Sequence, residues 1–306
     1  MDVDFIDVCG VPTKIVTLGN RLGEKFDKKE IVLFITGNPG LCDFYITFLT
    51  TLYKFLQGNV PVWIIGHAGH DEPEDRKHRI PRLKHNKQLY NMDGQINHKV
   101  EFIRKYIPSD VKIHLVGHSI GAYISLKLLD IGDIGNRIQR CYLLFPTIEY
   151  MAESPNGKLY TSLVQRYFKI IYYLARFLHI LPTILQNLLI MIFFWVRSIP
   201  SEFLESALMY IRPSVLSKII YMATDEMEKV KEPDYALIEK NKHRLTFFYS
   251  TTDGWTPITY YERLIGRIPE INAQLTDKYD HAFVLKSSAN MGALVAEWIQ
   301  QHSAQI

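Results

Sequence analysis

Short β-rich runs alternate with helical patterns along most of the chain. Residues 31–35 (Ile-Val-Leu-Phe-Ile) form an unbroken apolar run of strand length. It stops at the turn residues 37–40 (Gly-Asn-Pro-Gly), and residues 41–56 follow as a helix. Residues 60–65 are the next strand, with Pro61 near its start. Residues 71–85 are charged and contain Pro73 and Pro81, so they read as a loop. Ile96, Val100, Ile103 and Ile107 recur at helical steps and mark one buried helix face. The pattern then predicts a strand over 112–116, a helix over 120–129 and a strand over 141–145 that ends at Pro146. Further on it predicts a strand over 245–249, a helix over 257–264, a strand over 273–276 and a final helix over 289–299. Strands separated by helices need crossover connections, which build a mainly parallel sheet with helices on both faces. Residues 150–235, between the strand regions 141–145 and 245–249, form an insertion in a single domain spanning 1–306. Placed as a separate layer, it would cover the carboxyl ends of the strands, where such sheets bind ligands.

Composition narrows the classes. The chain has 306 residues, 47% of them apolar and 22% charged, which excludes disordered, collagen-like and cysteine-scaffold proteins. A net charge of +3 from 35 basic and 32 acidic residues excludes a nucleic-acid partner held by bulk charge. Cys9, Cys42 and Cys141 are scattered and lack metal-ligand spacing, as expected of thiols in a reducing compartment. The sequence MDVDFIDVCG lacks a basic segment followed by an apolar run, so secretion is not expected.

The balanced average hides one anomaly. No Asp or Glu lies between Glu153 and Glu202, while Lys158, Arg166, Lys169, Arg176 and Arg197 do. Residues 177–196 carry no formal charge, and Phe193, Phe194 and Trp195 stand near their end. Pro182, Gln186 and Asn187 interrupt the run, which disfavours a single bilayer span. The expectation is an interfacial hairpin over about 160–200. Phe193, Phe194 and Trp195 would enter a lipid monolayer, with Arg166, Lys169, Arg176 and Arg197 at the polar boundary.

The chemistry centres on residues 117–121, Gly-His-Ser-Ile-Gly, between a strand and a helix. This is the context of a nucleophile elbow: Ser119 on a sharp turn, Gly117 and Gly121 leaving room for it, and the Ile120 N–H facing a developing oxyanion. A serine needs a base, and the base an orienting acid, in the chain order Ser, acid, His. His281 follows the last strand run and is the predicted base. His179 lies in the apolar insertion, His243 precedes a strand, and His302 is close to the chain end. Asp253, in the turn after residues 245–249, is the predicted acid, with Asp280 as its rival. The loop 36–40 supplies the second oxyanion donor, the N–H of Asn38, with Leu41 as an alternative. This mechanism requires no metal or organic cofactor. His67, His70, His78 and His85 lack a geometry-fixing spacing for metal, and His67 and His70 are expected to shape the active-site rim.

Together, these motifs resemble the lipid droplet-associated hydrolase family. The residues carrying the resemblance are 37–40 (Gly-Asn-Pro-Gly), 67–70 (His-Ala-Gly-His), 93–98 (Asp-Gly-Gln-Ile-Asn-His), 117–121, 143–149 (Leu-Leu-Phe-Pro-Thr-Ile-Glu), 153–157 (Glu-Ser-Pro-Asn-Gly) and 281–283 (His-Ala-Phe). The resemblance implies an α/β-hydrolase fold, a Ser119–Asp253–His281 triad, residence on lipid droplets and endoplasmic reticulum, and a role in neutral-lipid storage. The resulting expectation is a serine ester hydrolase acting on sterol esters or acylglycerols at the cytosolic face. The alternative is a non-catalytic droplet-surface protein that keeps the fold and recruits partners.

Overall fold

A computed structural model describes residues 1–73 and 80–303; His78 and part of the expected 71–85 loop lie outside the described residues. The chain folds as β1 (Asp2–Val8), β2 (Val11–Leu18), β3 (Glu30–Ile35), α1 (Ile46–Phe55), β4 (Val62–Ile65), α2 (Met92–Tyr106), β5 (Lys112–His118), α3 (Ile120–Leu129), α4 (Gly132–Gly135) and β6 (Ile138–Leu144). Then come α5 (Pro155–Leu159), α6 (Phe168–Ile180), α7 (Thr183–Arg197), α8 (Leu204–Tyr210), α9 (Pro213–Lys229) and α10 (Tyr235–Asn241). The last elements are β7 (Leu245–Ser250), α11 (Ile258–Arg267), β8 (Asn272–Thr276) and α12 (Ser288–Ser303).

The eight strands form one sheet in the order β1-β2-β4-β3-β5-β6-β7-β8. β3 to β8 run parallel, and β1 and β2 add an antiparallel flank. The expected mainly parallel sheet is therefore present, extended by two strands ahead of residue 31. The helix expected over 41–56 begins instead as a tight turn at Cys42–Tyr45 before α1.

Alternation along β3 divides the core. Ile31, Leu33 and Ile35 pack with Ile103 of α2, Ile124 and Leu128 of α3, and Leu264 of α11. Val32 and Phe34 point the other way, against Leu49 and Leu52 of α1 and Met291 and Val295 of α12. Both faces of β3 are thus dry, which is why it reads as a continuous apolar run rather than an alternating one. The predicted stripe on α2 is buried at Val100, Ile103 and Ile107.

The segment between β6 and β7 carries α5 to α10. α9 is its inner helix. Leu216 and Ile220 of α9 pack against Ala175 of α6. Within the apolar run, α6 and α7 are separate helices of 13 and 15 residues, broken at Leu181 and Pro182. Among the described residues no helix is long and apolar enough to cross a membrane. Gln186, one of the polar interruptions, is buried; its amide donates to the carbonyls of His179 and Leu181 and ties the two helices together.

Phe193 and Trp195 are exposed, Trp195 by 83%. Phe194 is not: it is buried against Ile190 and Phe203. This corrects the expectation that all three face lipid. Successive residues on a helix turn by about 100°, so the middle one of three can face inward while its neighbours face out. Arg166, Lys169, Arg176 and Arg197 are exposed.

Candidate active site

Every predicted catalytic residue stands at the carboxyl edge of the sheet. Gly117 and His118 end β5, and Ser119 occupies the turn into α3. Its backbone adopts φ 54° and ψ −123°, a left-handed geometry that is costly for a residue with a side chain, about 1–3 kcal/mol. The turn is held by the Ser119 N–H donating to the Leu144 carbonyl at 2.9 Å and by the Ser119 carbonyl accepting from Ala122. The flanking glycines are steric necessities. A Cβ at Gly121 would lie 2.3 Å from the Ile35 carbonyl oxygen, and one at Gly117 would lie 2.6 Å from the Gly121 oxygen. Ile120 is the first residue of α3, so its N–H has no acceptor within the helix.

Three side chains far apart in sequence meet here. Ser119 Oγ lies 2.9 Å from His281 Nε2, and His281 Nδ1 lies 2.6 Å from Asp253 Oδ2. An ionised carboxylate only accepts, so Nδ1 carries the proton and Nε2 is free to accept the serine hydroxyl. Asp253 is buried and fully engaged. Its Oδ1 accepts the N–H groups of Trp255 and Thr256, and its Oδ2 also accepts the Thr256 hydroxyl at 2.7 Å. Burial works to raise its pKa. His281 and these hydrogen bonds outweigh it and hold the carboxyl below its usual range. The turn-capping role expected of an Asp in this position and its contact to His281 coexist. The rival Asp280 instead accepts a hydrogen bond from the exposed Thr252 hydroxyl.

Asn38 and Ser119 line the same cavity, of about 410 Å³. In the Asn38 loop, Gly37 N–H donates to the Tyr45 hydroxyl, leaving the Asn38 N–H as the next main-chain donor. The Asn38–Pro39 peptide is cis. His67 Nε2 contacts the Thr36 carbonyl at 3.1 Å and His70 Nδ1 the Pro39 carbonyl at 2.5 Å. These two buried histidines therefore brace the loop from behind rather than shaping the rim. Burial pushes the His70 pKa down to about 3, so its ring is neutral.

Other neighbours complete the site. Tyr45 donates to His118 Nδ1 at 2.8 Å, and His118 Nε2 donates to the His281 carbonyl at 3.0 Å. Burial and the adjacent His281 push His118 down to about 3. Glu226 of α9 enters the cavity wall, where the Asn38 amide donates to it at 2.8 Å. Glu226 lies between the charged Asp225 and the apolar Met227, and nothing in that local pattern marks it as pocket-lining.

Known proteins resemble this chain in sequence and in fold. The lipid-droplet associated hydrolase family model matches residues 28–284. A lipid droplet-associated hydrolase of Drosophila melanogaster is 48% identical over 99% of this chain and 99% of its own. Relatives of the same name from Rattus norvegicus and Homo sapiens are 38% and 36% identical, covering 97% and 96% of this chain and 94% and 93% of theirs. Among solved structures, a serine hydrolase of Cycloclasticus zankles is 16% identical and superposes with a TM-score of 0.59, covering 98% of both chains. An esterase of Exiguobacterium antarcticum is 12% identical with a TM-score of 0.61, covering 97% of this chain and 99% of its own. At these identities the structural likeness establishes the α/β-hydrolase fold.

Proposed function

We propose that this chain, which belongs to the lipid droplet-associated hydrolase family, is a serine ester hydrolase acting on neutral lipid esters at a droplet surface. The observation that carries this reading is the pair of hydrogen bonds converging on His281, 2.9 Å from Ser119 and 2.6 Å from Asp253. Ser119 Oγ attacks the ester carbonyl while His281 Nε2 takes its proton. The oxyanion accepts from the N–H groups of Ile120 and Asn38. As the tetrahedral intermediate collapses, His281 returns the proton to the departing alcohol, leaving an acyl-serine. Water, activated by the same imidazole, releases the acid and regenerates Ser119. Asp253 keeps the proton on Nδ1 and stabilises the imidazolium. The residues suffice for this chemistry without a metal or organic cofactor.

The reading of the substrate class is supported by the cavity, lined by apolar groups such as Met151, Val164, Ile219, Ile220 and Met227. The proposed location is supported by α6 and α7. Phe177, Ile184, Phe193 and Trp195 are exposed on their outer side. Monomeric soluble proteins rarely leave so large an apolar patch in water, and burying each such side chain is worth about 1.5–3 kcal/mol. The helices lie in the monolayer of a lipid droplet or the cytosolic leaflet of the endoplasmic reticulum, with Arg166, Lys169, Arg176 and Arg197 among the headgroups. Sterol esters and acylglycerols are the candidate substrates, and lipid storage and turnover the process served.

Fluorophosphonate labelling of the wild type and Ser119→Ala tests the reading. Labelling confined to the wild type is expected. Equal labelling of both removes Ser119 as nucleophile, and labelling of neither favours the rival, a non-catalytic droplet-surface protein, which the exposed face of α6 and α7 would serve equally well.

A further inference from the structure

Glu226 is anomalous in its surroundings. It is a carboxyl group with 1% exposure, on the cavity-facing side of α9, in a pocket whose walls are otherwise mostly apolar. Its one hydrogen bond among the described residues comes from Asn38 Nδ2, which also donates to the Ile219 carbonyl at 3.2 Å. That leaves the second carboxyl oxygen of Glu226 unpaired. The amide oxygen of Asn38 is fully buried with no hydrogen-bond partner. Burial raises the Glu226 pKa to about 8, so near neutral pH the carboxyl is an O–H donor as well as an acceptor. A donor and an acceptor therefore belong to two hydrogen-bonded residues that line the cavity holding Ser119, the carboxyl with one oxygen free of protein partners and the amide oxygen with none. Buried polar groups without partners are rare and costly.

A hydroxyl group satisfies both at once. Its oxygen accepts from Glu226 and its proton goes to Asn38 Oδ1. We propose that Glu226 and Asn38 form a hydroxyl-recognising notch beside Ser119, which selects partial acylglycerols over steryl esters and triacylglycerols. This rests on the ester-hydrolase reading above. Mono- and diacylglycerols carry a free hydroxyl on the glycerol beside the ester. Steryl esters and triacylglycerols have no hydroxyl, and binding either would leave Glu226 and Asn38 desolvated and unpaired. Sites built to pair a substrate hydroxyl reject analogues lacking it far more strongly than apolar pockets distinguish methylenes. The same two residues join α9 to the loop bearing the Asn38 N–H, so an occupied notch lies directly next to the oxyanion donor.

The test compares 1-octanoylglycerol with propyl octanoate, esters that differ only in the two glycerol hydroxyls. The full chain is assayed as wild type, Glu226→Gln and Glu226→Leu. The wild type is expected to favour the glycerol ester in kcat/KM by tenfold or more. Gln, of equal shape and with both donor and acceptor, is expected to retain most of that preference. Leu is expected to bring the ratio close to one. Turnover of both esters with no wild-type preference, or a preference that survives in Glu226→Leu, overturns the notch and leaves the hydrolase reading standing. If no variant hydrolyses either ester and Ser119 resists fluorophosphonate, the hydrolase reading fails, and calorimetric titration with 1-O-octylglycerol then decides the notch. A tenfold or greater loss of affinity in Glu226→Leu supports it, and equal affinity overturns it.

Discussion

His118 Nε2 lies 3.0 Å from the main-chain carbonyl oxygen of His281, so the residue before the serine holds the backbone of the residue that activates it. The link continues through His118 Nδ1 to the Tyr45 hydroxyl and from there to the Gly37 N–H. One buried chain thus joins the elbow, the Asn38 loop and the His281 loop. Replacing His118 by Leu breaks it and frees His281 to shift. Because small misplacements of reacting groups cost up to about 100-fold, kcat is expected to fall roughly 10–100-fold with KM little changed. His118 is pushed down to about 3 and stays neutral at working pH, so the remaining activity keeps its pH profile. Unchanged kcat in steady-state assays rejects this positioning role.

Asp253→Asn preserves shape but removes the acceptor that keeps the proton on His281 Nδ1. By analogy with other triads, kcat is expected to fall about 10⁴-fold. A loss below tenfold in an ester assay excludes Asp253 as the orienting acid.

Glu226 also predicts a pH dependence of stability. Its pKa is raised by burial from 4.5 to about 8. Between those values the unfolded chain releases a proton that the folded chain keeps. Folded stability therefore falls as pH rises through this window, by up to about 1.4 kcal/mol per pH unit from this group. Gln cannot ionise. The unfolding free energy of Glu226→Gln minus that of wild type is expected to climb from pH 5 to pH 8 and level off above it. A flat difference in urea titrations contradicts a buried neutral Glu226.

The elbow glycines predict a steric failure. A methyl group at Gly121 meets the Ile35 carbonyl oxygen at 2.3 Å and the Thr36 oxygen at 2.6 Å. Both are backbone atoms at the end of β3, which cannot swing aside. Gly121→Ala is expected to lose at least about 1–3 kcal/mol and to misplace Ser119. Thermal unfolding and fluorophosphonate labelling read the two effects separately.

Two neighbouring aromatics predict opposite behaviour. Trp195 is 83% exposed, so Trp195→Glu is expected to leave folding within about 0.5 kcal/mol of wild type while weakening flotation with triolein–phospholipid emulsions. Phe194 is buried, and Phe194→Glu is expected to destabilise the fold strongly. Equal flotation of Trp195→Glu and wild type removes the outer side of α7 from the lipid contact.

What was legible in the sequence is what local periodicity and steric motifs record. The run 31–35 reads as a buried strand because both its faces are covered, and residues 117–121 read as an elbow because only glycines fit around such a turn. β1 was less legible: it lies at the sheet's edge, with Asp4 and Asp7 interrupting its apolar pattern. In the apolar run, composition indicated a lipid-facing surface, but only helix phase in the packed molecule separated Phe194 from Phe193 and Trp195.

By itself the sequence determined the strand–helix alternation, the Ser119 turn and the family. Chain order nominated His281 and Asp253 as partners of Ser119, but only the tertiary structure brought them into contact, and it alone revealed Glu226 against Asn38. His281 reaches Ser119 across 162 positions, and Glu226 reaches Asn38 across 188. The residues around Glu226 carry no trace of its pairing with Asn38, because the free energy that makes it comes from assembling the sheet and laying α9 across its edge. Glu226 and its neighbour Asp225 are both acidic, and burial beneath the cavity wall is what separates a neutral hydrogen-bond donor from a solvated charge.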